Sequence, residues 1–278
     1  MSDENLSILV YGGPGSGKTR FGVSAFWDFK KHVPLCNGRL IDLGREYNPA
    51  IESEIPTELV KRFSLDADPS KYLNTFTEIR QYIGQVIRAR DTKDAIDVLV
   101  FDGITEWNQM YQLAFEGTPG NAGADKFAKW DGLQREFRKL MQMLDPRTLG
   151  ATIITTAMVG GVRKELTKRD GTVAAQGDPD WMQDVRYFPD IQGSAKNQLG
   201  RYFNVMSYID LATTSATVNG VIRTIPQFKF YMVPGTDYWV KNVWVDKWIN
   251  AGLPDYLTSP TYQDMIDSIE RAKAHKGA

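Results

Sequence analysis

The chain has 278 residues, of which 42% are hydrophobic, so it can bury a full core as one large α/β domain or as a domain with appendages. Its 33 basic and 34 acidic side chains leave a formal net charge of −1, which excludes a global basic field for nucleic acid and leaves only local patches. The single cysteine, Cys36, excludes an internal disulfide and a cysteine-rich zinc site, and it indicates a reducing compartment.

The first predicted elements are a strand, a glycine-rich loop and a helix. Residues 6–11 are mostly apolar and predict a buried strand, whereas residues 18–31 predict a helix with Phe21, Ala25 and Phe29 on one face. The loop between them fits G-x-x-x-x-G-K-[ST] without a mismatch, and its residues are Gly12, Gly13, Pro14, Gly15, Ser16, Gly17, Lys18 and Thr19. Strand, full motif and helix coincide, so we predict a nucleoside triphosphate site.

Each part of this loop has a predicted task. The backbone must wrap a phosphate, and glycine adopts the positive φ angles that this requires at low cost. The loop amides then point at the anion. Lys18 is predicted to bridge the β- and γ-phosphates, and the Thr19 hydroxyl to hold Mg²⁺. We add Arg20, which follows directly, to the residues expected to bind the nucleotide.

Strands and helices alternate through the first half of the chain. Predicted strands lie at 39–43, 59–65, 95–102 and 151–156, and predicted helices at 72–87, 105–115 and 125–144, the last ended by Pro146. Such alternation predicts βαβ units, a mostly parallel sheet and ligands at its carboxyl edge. In the last third, we predict antiparallel strands at 205–211, 217–224 and 227–233, a hairpin turn at Asn219-Gly220 and a polar helix at 261–273.

Asp102 is the second chemical signal. Four apolar residues, 98–101, run directly into it. A parallel strand beside the strand of the glycine-rich loop would bring this carboxylate to the Thr19 side of the metal. A turn or cap role for the acid is the alternative. Gly103 follows, which argues against ATPases that have their water-activating glutamate immediately after this acid.

A general base must then come from elsewhere. Asp42 and Glu46 follow a neighbouring predicted strand, and we favour Glu46 as the base for the attacking water. A surface acid in a Gly-Arg-Glu loop explains Glu46 equally well.

Two later segments have both a functional and a structural interpretation. Thr155 and Thr156 end a core strand, where Thr156 would hydrogen-bond the γ-phosphate or its attacking water; both also suit a strand simply as β-branched residues. Residues 160–200 form a long stretch rich in glycine and charge, with Trp181, Tyr187 and Phe188 among the basic side chains. This stretch predicts backbone contact and base stacking with single-stranded DNA. A solvated hairpin around 170–171 is the alternative.

The segments GGPGSGKT, VLVFDGIT and ATIITT, in this order, resemble the RecA-like ATPase core. More narrowly, with residues 189–196, 238–242 and 252–254, the chain is similar over 6–257 to phage-encoded P-loop nucleotide-binding proteins grouped with single-strand annealing recombinases. The resemblance implies an α/β RecA-like P-loop NTPase core with a mostly parallel sheet and a β-rich C-terminal elaboration. We therefore expect an ATPase domain at 1–257 and a C-terminal helix or tail at 258–278.

The same resemblance implies the activity and the partners. It implies an ATP- and Mg²⁺-dependent ATPase that acts on single-stranded DNA in phage recombination or replication. It also implies a homo-oligomer with ATP near a subunit interface, where Lys241 would reach the neighbour's nucleotide, and recombination or single-strand-binding proteins as partners. No apolar run approaches the roughly 20 residues of a membrane span and the first strand begins by Leu6, so we expect no signal peptide, no membrane partner and a cytoplasmic location, in an infected host.

Two other functions remain open. A P-loop kinase of a nucleotide or metabolite would recruit lid arginines, for which Arg163, Arg169 and Arg186 are available. A nucleotide-gated assembly protein would bind ATP with incidental turnover. Asn242 stands where relatives carry a second basic residue, and Met158 lies where they often carry a histidine, which keeps this second alternative open.

Overall fold

The computed structural model describes residues 5–43, 54–63, 71–117, 126–163, 185–191, 198–218, 221–235 and 237–275. These residues form twelve strands: β1 Ser7–Gly12, β2 Trp27–Asp28, β3 Val33–Pro34, β4 Gly38–Asp42, β5 Val60–Arg62, β6 Val98–Asp102, β7 Thr152–Arg163, β8 Val185–Pro189, β9 Val205–Val218, β10 Val221–Tyr231, β11 Lys241–Asn242 and β12 Tyr256–Thr258. The same residues form seven α-helices: α1 Lys18–Val23, α2 Tyr72–Ala89, α3 Ile104–Gly117, α4 Lys126–Met143, α5 Pro146–Leu149, α6 Val245–Asn250 and α7 Tyr262–Ala274.

Ten of these strands form one sheet, and its centre is parallel. The order is β12-β10-β9-β1-β7-β6-β4-β5, with β11 added to β9 and β8 added to β7. From β9 to β5 every neighbouring pair is parallel, whereas β10, β11, β12 and β8 join in antiparallel pairs. The predicted α/β fold, with a mostly parallel sheet and a β-rich C-terminal elaboration, is confirmed.

Helices cover both faces of the parallel strands. Successive residues of a strand point to opposite faces, and in β1 all six residues are buried, as in a strand covered on both sides. Leu9 and Tyr11 pack with residues of α2, α3 and α4, whereas Ile8 and Val10 pack with residues of α1, α6 and α7. The result is a three-layer α/β/α arrangement with two hydrophobic cores.

The helices of the first half follow the predicted pattern. The three long predicted helices correspond to α2, α3 and α4, and α4 ends before Pro146. Asp145 caps the short helix α5 that begins at this proline, its side chain accepting a hydrogen bond from the Arg147 amide. Of the predicted strand at 59–65, residues 60–62 form β5, and 64–65 lie outside the described residues.

The first helix is shorter than predicted. It ends at Val23 instead of continuing to Lys31, and the chain turns into the β2–β3 hairpin. Phe26 is fully buried across Gly38 of β4, where a Cβ atom would lie 2.1 Å from the Phe26 ring. A helix that continued past Val23 would carry Phe26 away from this contact, so tertiary packing overrides the helical spacing of the sequence.

The last third has two long strands instead of three short ones. β9 continues from Val205 to Val218 without the predicted break. All of β10 pairs with its Tyr208–Val218 segment. The pairing of Val218 with Val221 agrees with the turn predicted at 219–220, although these two residues lie outside the described part. β9 also pairs in parallel with β1, which local patterning does not reveal.

The C-terminal helix begins as predicted. Thr261 and Asp264 form a capping box at the start of α7. The amide of Tyr262 donates to the Ser24 hydroxyl at 2.9 Å, and Ile269 is fully buried against the same core as α1. The predicted division of the chain at 257/258 stays a prediction. In the described part of the chain, none of the helices is long and apolar enough to cross a bilayer.

Candidate nucleotide-binding site

The glycine-rich loop follows β1 directly, at the carboxyl edge of the sheet. Gly15 and Gly17 have φ angles of +70° and +83°, which side chains with a Cβ rarely adopt. At Gly12 a Cβ atom would lie 2.5 Å from the Ile209 carbonyl oxygen and 2.8 Å from Ser16 Oγ. The loop is therefore wound so tightly that three of its positions require glycine.

Lys18 turns back over this loop. Its Nζ donates hydrogen bonds to the carbonyl oxygens of Gly12 at 3.0 Å and Gly13 at 2.8 Å. The residue is only 9% exposed, and burial lowers the pKa of the ammonium group, although the charges of Asp102 and Glu106 oppose this effect. A phosphate at the loop would offer this buried cation an anionic partner in place of two neutral carbonyls.

The Asp102 carboxylate is held by two threonine hydroxyls. Thr19 Oγ1 donates to Asp102 Oδ2 at 2.6 Å, and Thr156 Oγ1 donates to the other oxygen, Oδ1. The Gly103 amide donates to Thr156 Oγ1 at 3.1 Å. Thr19 and Asp102 are therefore in direct contact, as predicted, whereas their role as metal ligands stays a prediction.

The route to this proximity differs from the prediction. The strand of Asp102, β6, does not lie beside β1, because β7 lies between them. Thr156 of β7 is in register with Val10 on one side and with Asp102 on the other. Thr156 therefore bridges the gap that the extra strand creates.

Thr155 and Thr156 have different environments. Alternation along β7 directs Thr156 to the face covered by α1, and Thr155 to the opposite face. Thr155 is fully buried, and its hydroxyl has no hydrogen-bond partner among the described residues. Only Thr156 contacts the predicted metal ligands, and its contact with a phosphate or water stays a prediction.

The residues at the loop fit a magnesium nucleotide. Ser16 is 2% exposed and its Oγ has no hydrogen-bond partner in the part of the chain described here, so a buried polar atom is available in the loop. Thr19 and Asp102 supply the hydroxyl and carboxylate oxygens that Mg²⁺ prefers alongside substrate phosphates. The described residues contain no group of three His, Cys, Asp or Glu side chains that would hold a metal alone.

The carboxylates near the site divide into three cases. Glu46, the predicted base, lies outside the described residues. Asp42 ends β4 in register with Asp102 and forms an ion pair with Arg62 at 3.6 Å. Glu106, in the first turn of α3, has its Oε2 3.0 Å from the position that a Cβ on Gly103 would take.

Sequence reasoning missed Glu106, although a usable signal existed. It lies four residues after Asp102, in the first turn of the following helix, and its charge acts on Lys18. A carboxylate so placed after the acid-tipped strand borders the same edge of the sheet.

Two further predicted residues are held by contacts outside the loop. Arg20 is half-exposed, forms an ion pair with Glu54 at 3.1 Å and stacks its guanidinium over the Phe29 ring at 4.1 Å. Lys241 Nζ donates to the carbonyl oxygens of Gly200 at 2.5 Å and Phe203 at 2.6 Å. Lys241 pairs with Met206 of β9. Met206 lies three residues before Ile209, the β9 residue that pairs with Gly12 of the loop. The predicted nucleotide contacts of both residues stay predictions.

The stretch 160–200 is described in part. β7 runs beyond the edge of the sheet core to Arg163, and β8 returns antiparallel to it, with Gly160 opposite Phe188. Residues 164–184 and 192–197, which include Trp181 and the charged 168–171 segment, lie outside the described residues.

Comparison with known proteins identifies the family. No curated protein matches the chain. A family model described as AAA domain matches residues 4–231, which include the loop, Asp102 and Thr156 and span most of the sheet. The chain therefore belongs to the AAA domain family and carries a P-loop NTPase-like domain.

Proposed function

We propose that the protein is an ATPase that binds Mg·ATP at the glycine-rich loop and transfers the terminal phosphoryl group to water, giving ADP and phosphate. The observation that carries this proposal is the Asp102 carboxylate, which accepts hydrogen bonds from the hydroxyls of Thr19 and Thr156. It combines the two protein ligands that P-loop NTPases use for Mg²⁺ with a third residue that orients the acid.

In this proposal each residue of the site has a separate role in ATP hydrolysis. Lys18 and the loop amides stabilise negative charge on the phosphates, and Thr19 and Asp102 hold the metal. Mg²⁺ bound there would neutralise charge that develops on the β- and γ-phosphate oxygens. Thr156 is a positioning residue, because it holds Asp102 and is itself held by the Gly103 amide.

Two carboxylates compete for the role of orienting the attacking water. We propose Glu46, with Glu106 as the alternative, because Glu106 borders the site through Gly103. Glu46→Gln should lower the rate of phosphate release about 10²–10⁴-fold, the range of general acid–base catalysis, with nucleotide affinity unchanged. Glu106→Gln is the matched variant. If it alone abolishes turnover, the assignment to Glu46 is wrong.

We further propose that the ATPase acts on single-stranded DNA, as a homo-oligomer, in phage recombination or replication. The resemblance supports this partner, and so does the continuity of β7. That strand carries Thr156 beside Asp102 and then leads directly into the 160–200 stretch. A change in the nucleotide at Asp102 would therefore reach the proposed DNA-binding segment through the hydrogen bond from Thr156 and then along β7.

The domain organisation and the intersubunit role of Lys241 belong to the same proposal. The ATPase domain would span 1–257, with 258–278 as a C-terminal helix or tail. For Lys241 to reach a neighbouring nucleotide, its ammonium group must leave the carbonyl oxygens of Gly200 and Phe203.

Phosphate release from Mg·ATP, with and without single-stranded DNA, tests the proposal. We expect DNA to stimulate the wild type, and Lys18→Ala to lose both basal and stimulated activity. Lys31→Ala is the control, because the Lys31 side chain is 78% exposed. Unchanged nucleotide affinity in Lys18→Ala would refute the assigned site.

The same assay separates the competing functions. Phosphate recovered on an acceptor instead of in water would identify a kinase. ATP-dependent assembly with no DNA effect on turnover would identify a nucleotide-gated assembly protein.

A further inference from the structure

A cavity of about 570 Å³ opens beside the glycine-rich loop. Its walls come from α1, the β2–β3 hairpin, β10 and the segment that leads into α7. The residues that carry the argument are Gly17, Arg20, Trp27, Phe29, Phe228 and Pro260. This volume lies within the range of about 300–1,000 Å³ that is usual for small-molecule sites.

Phe228 of the cavity wall and the Asp102 carboxylate come from strands on opposite sides of β1. Asp102 belongs to β6, which follows β7 on one side, and Phe228 belongs to β10, which follows β9 on the other side. The Phe228 ring is 3.7 Å from the position of a Cβ on Gly17, so the cavity wall touches the loop itself. A ligand whose terminal phosphate lay between Lys18 and Asp102 would have this cavity on the far side of β1 from Asp102.

The walls of the cavity suit a flat aromatic ring. Phe228 and Phe29 are half-buried, and the Arg20 guanidinium lies over the Phe29 ring at 4.1 Å from its centroid. Bases stack on aromatic rings and on guanidinium planes. The indole N–H of Trp27, also in the lining, has no hydrogen-bond partner among the described residues, which leaves a donor beside the cavity.

The cavity is completed from outside the segment that matches the family. The family match ends at residue 231, whereas Pro260 and Thr261 of the lining lie after β12. The amide of Tyr262 is anchored to Ser24 of the region after α1, so the C-terminal wall is tied to the loop helix. This wall is therefore a feature of this chain's C-terminal part.

We propose that this cavity receives the purine base of the nucleotide, which stacks on Phe228 and beside Arg20. The inference rests on the proposed function, because it concerns the other end of the nucleotide that the loop binds. It assigns to the β-rich C-terminal part a direct share in nucleotide affinity.

The test compares a nucleotide with its phosphate chain alone. Dissociation constants are measured by calorimetry for Mg·ATP and for inorganic Mg·tripolyphosphate, on the wild type and on Phe228→Ala. We expect the variant to bind ATP roughly 5- to 150-fold more weakly, the range for one lost base–aromatic stack, and tripolyphosphate unchanged. Unchanged tripolyphosphate binding also shows that the loop is still folded.

Two further variants sharpen the result. Phe228→Leu keeps most of the volume and removes the flat ring, so it should weaken ATP binding less than alanine does. Ile222→Ala, on the same strand at a side chain that is 76% exposed, should change neither constant.

The outcomes separate the two proposals. If Phe228→Ala weakens both ligands equally, Phe228 only supports the loop through Gly17, and the base site is wrong. It is equally wrong if the wild type binds ATP no more tightly than tripolyphosphate, or if the variant binds ATP normally. If the wild type binds neither ligand, the proposed ATPase function fails first.

Discussion

Replacing Thr156 by valine removes one hydroxyl and keeps the shape of the side chain. The hydroxyl donates to Asp102 Oδ1 and accepts from the Gly103 amide at 3.1 Å, in a residue that is 1% exposed. The variant therefore deprives a buried amide of its acceptor and a carboxylate of one of its two hydroxyl donors.

Thr155→Val is the matched control. Thr155 has the same side chain on the same strand, and it is fully buried, but its hydroxyl has no partner in the described residues. Leaving the Gly103 amide unsatisfied should cost about 1–3 kcal/mol in Thr156→Val. Removing an unpaired buried hydroxyl in Thr155→Val should be neutral or stabilising by about 1 kcal/mol. The free energies of unfolding of the two variants should thus differ by about 1–4 kcal/mol.

Urea unfolding of the nucleotide-free protein, followed by tryptophan fluorescence, measures this difference. The Mg²⁺ concentration needed for half-maximal ATP binding is the functional readout, because Thr156 holds Asp102, the proposed metal ligand, and Thr155 does not. Only Thr156→Val should raise it. Equal stabilities for the two variants, or a greater loss in Thr155→Val, would refute the hydrogen-bonding argument.

Three further predictions concern the loop and Lys241. Gly12→Ala should abolish nucleotide binding, because its Cβ would lie 2.5 Å from a backbone oxygen of Ile209, whereas Gly13→Ala, with open space around its Cβ, should retain binding in the same titration. Burial lowers the pKa of Lys18 in the folded protein. Between this lowered pKa and the ordinary lysine pKa of about 10.4, the unfolded chain binds more protons than the folded one, so the free energy of unfolding rises with pH. Lys18→Met should flatten this rise in urea titrations from pH 8 to 10, and parallel profiles for the two proteins would contradict the sign. Lys241→Met should lower the free energy of unfolding by about 1–3 kcal/mol, because two carbonyl groups lose their donor, while a loss of turnover at unchanged stability would indicate the intersubunit role instead.

Local sequence predicted the elements that local physics controls. The loop motif, the buried pattern of β1 and the periodicity of α2 each depend on residues within a few turns, and each is found as expected. The predicted length of α1 is too great, because the contact of Phe26 with Gly38 of β4 decides where the helix ends. No periodicity within residues 18–31 contains that information.

In the candidate site, too, only residues marked by a strong local pattern could be predicted. Thr19 and Asp102 are recognisable because each ends or follows an element with a strong local pattern. The sequence patterns do not point to Glu106 or to Phe228, the proposed base-stacking residue. The place of Glu106 depends on how α3 lies over Gly103, and that of Phe228 on the course of β10 past Gly17.

The order of residues alone predicts a phosphate-binding loop, because the φ angles and close approach that the loop needs exclude side chains at particular positions. It also determined an α/β fold, because hydrophobic periodicity sets which elements form. Three features are visible only in the assembled fold: β7 separates β1 from β6, Thr156 holds Asp102, and β10 borders the loop. Strand order and register depend on contacts between residues far apart in the chain, and those contacts form only when the whole sheet is assembled.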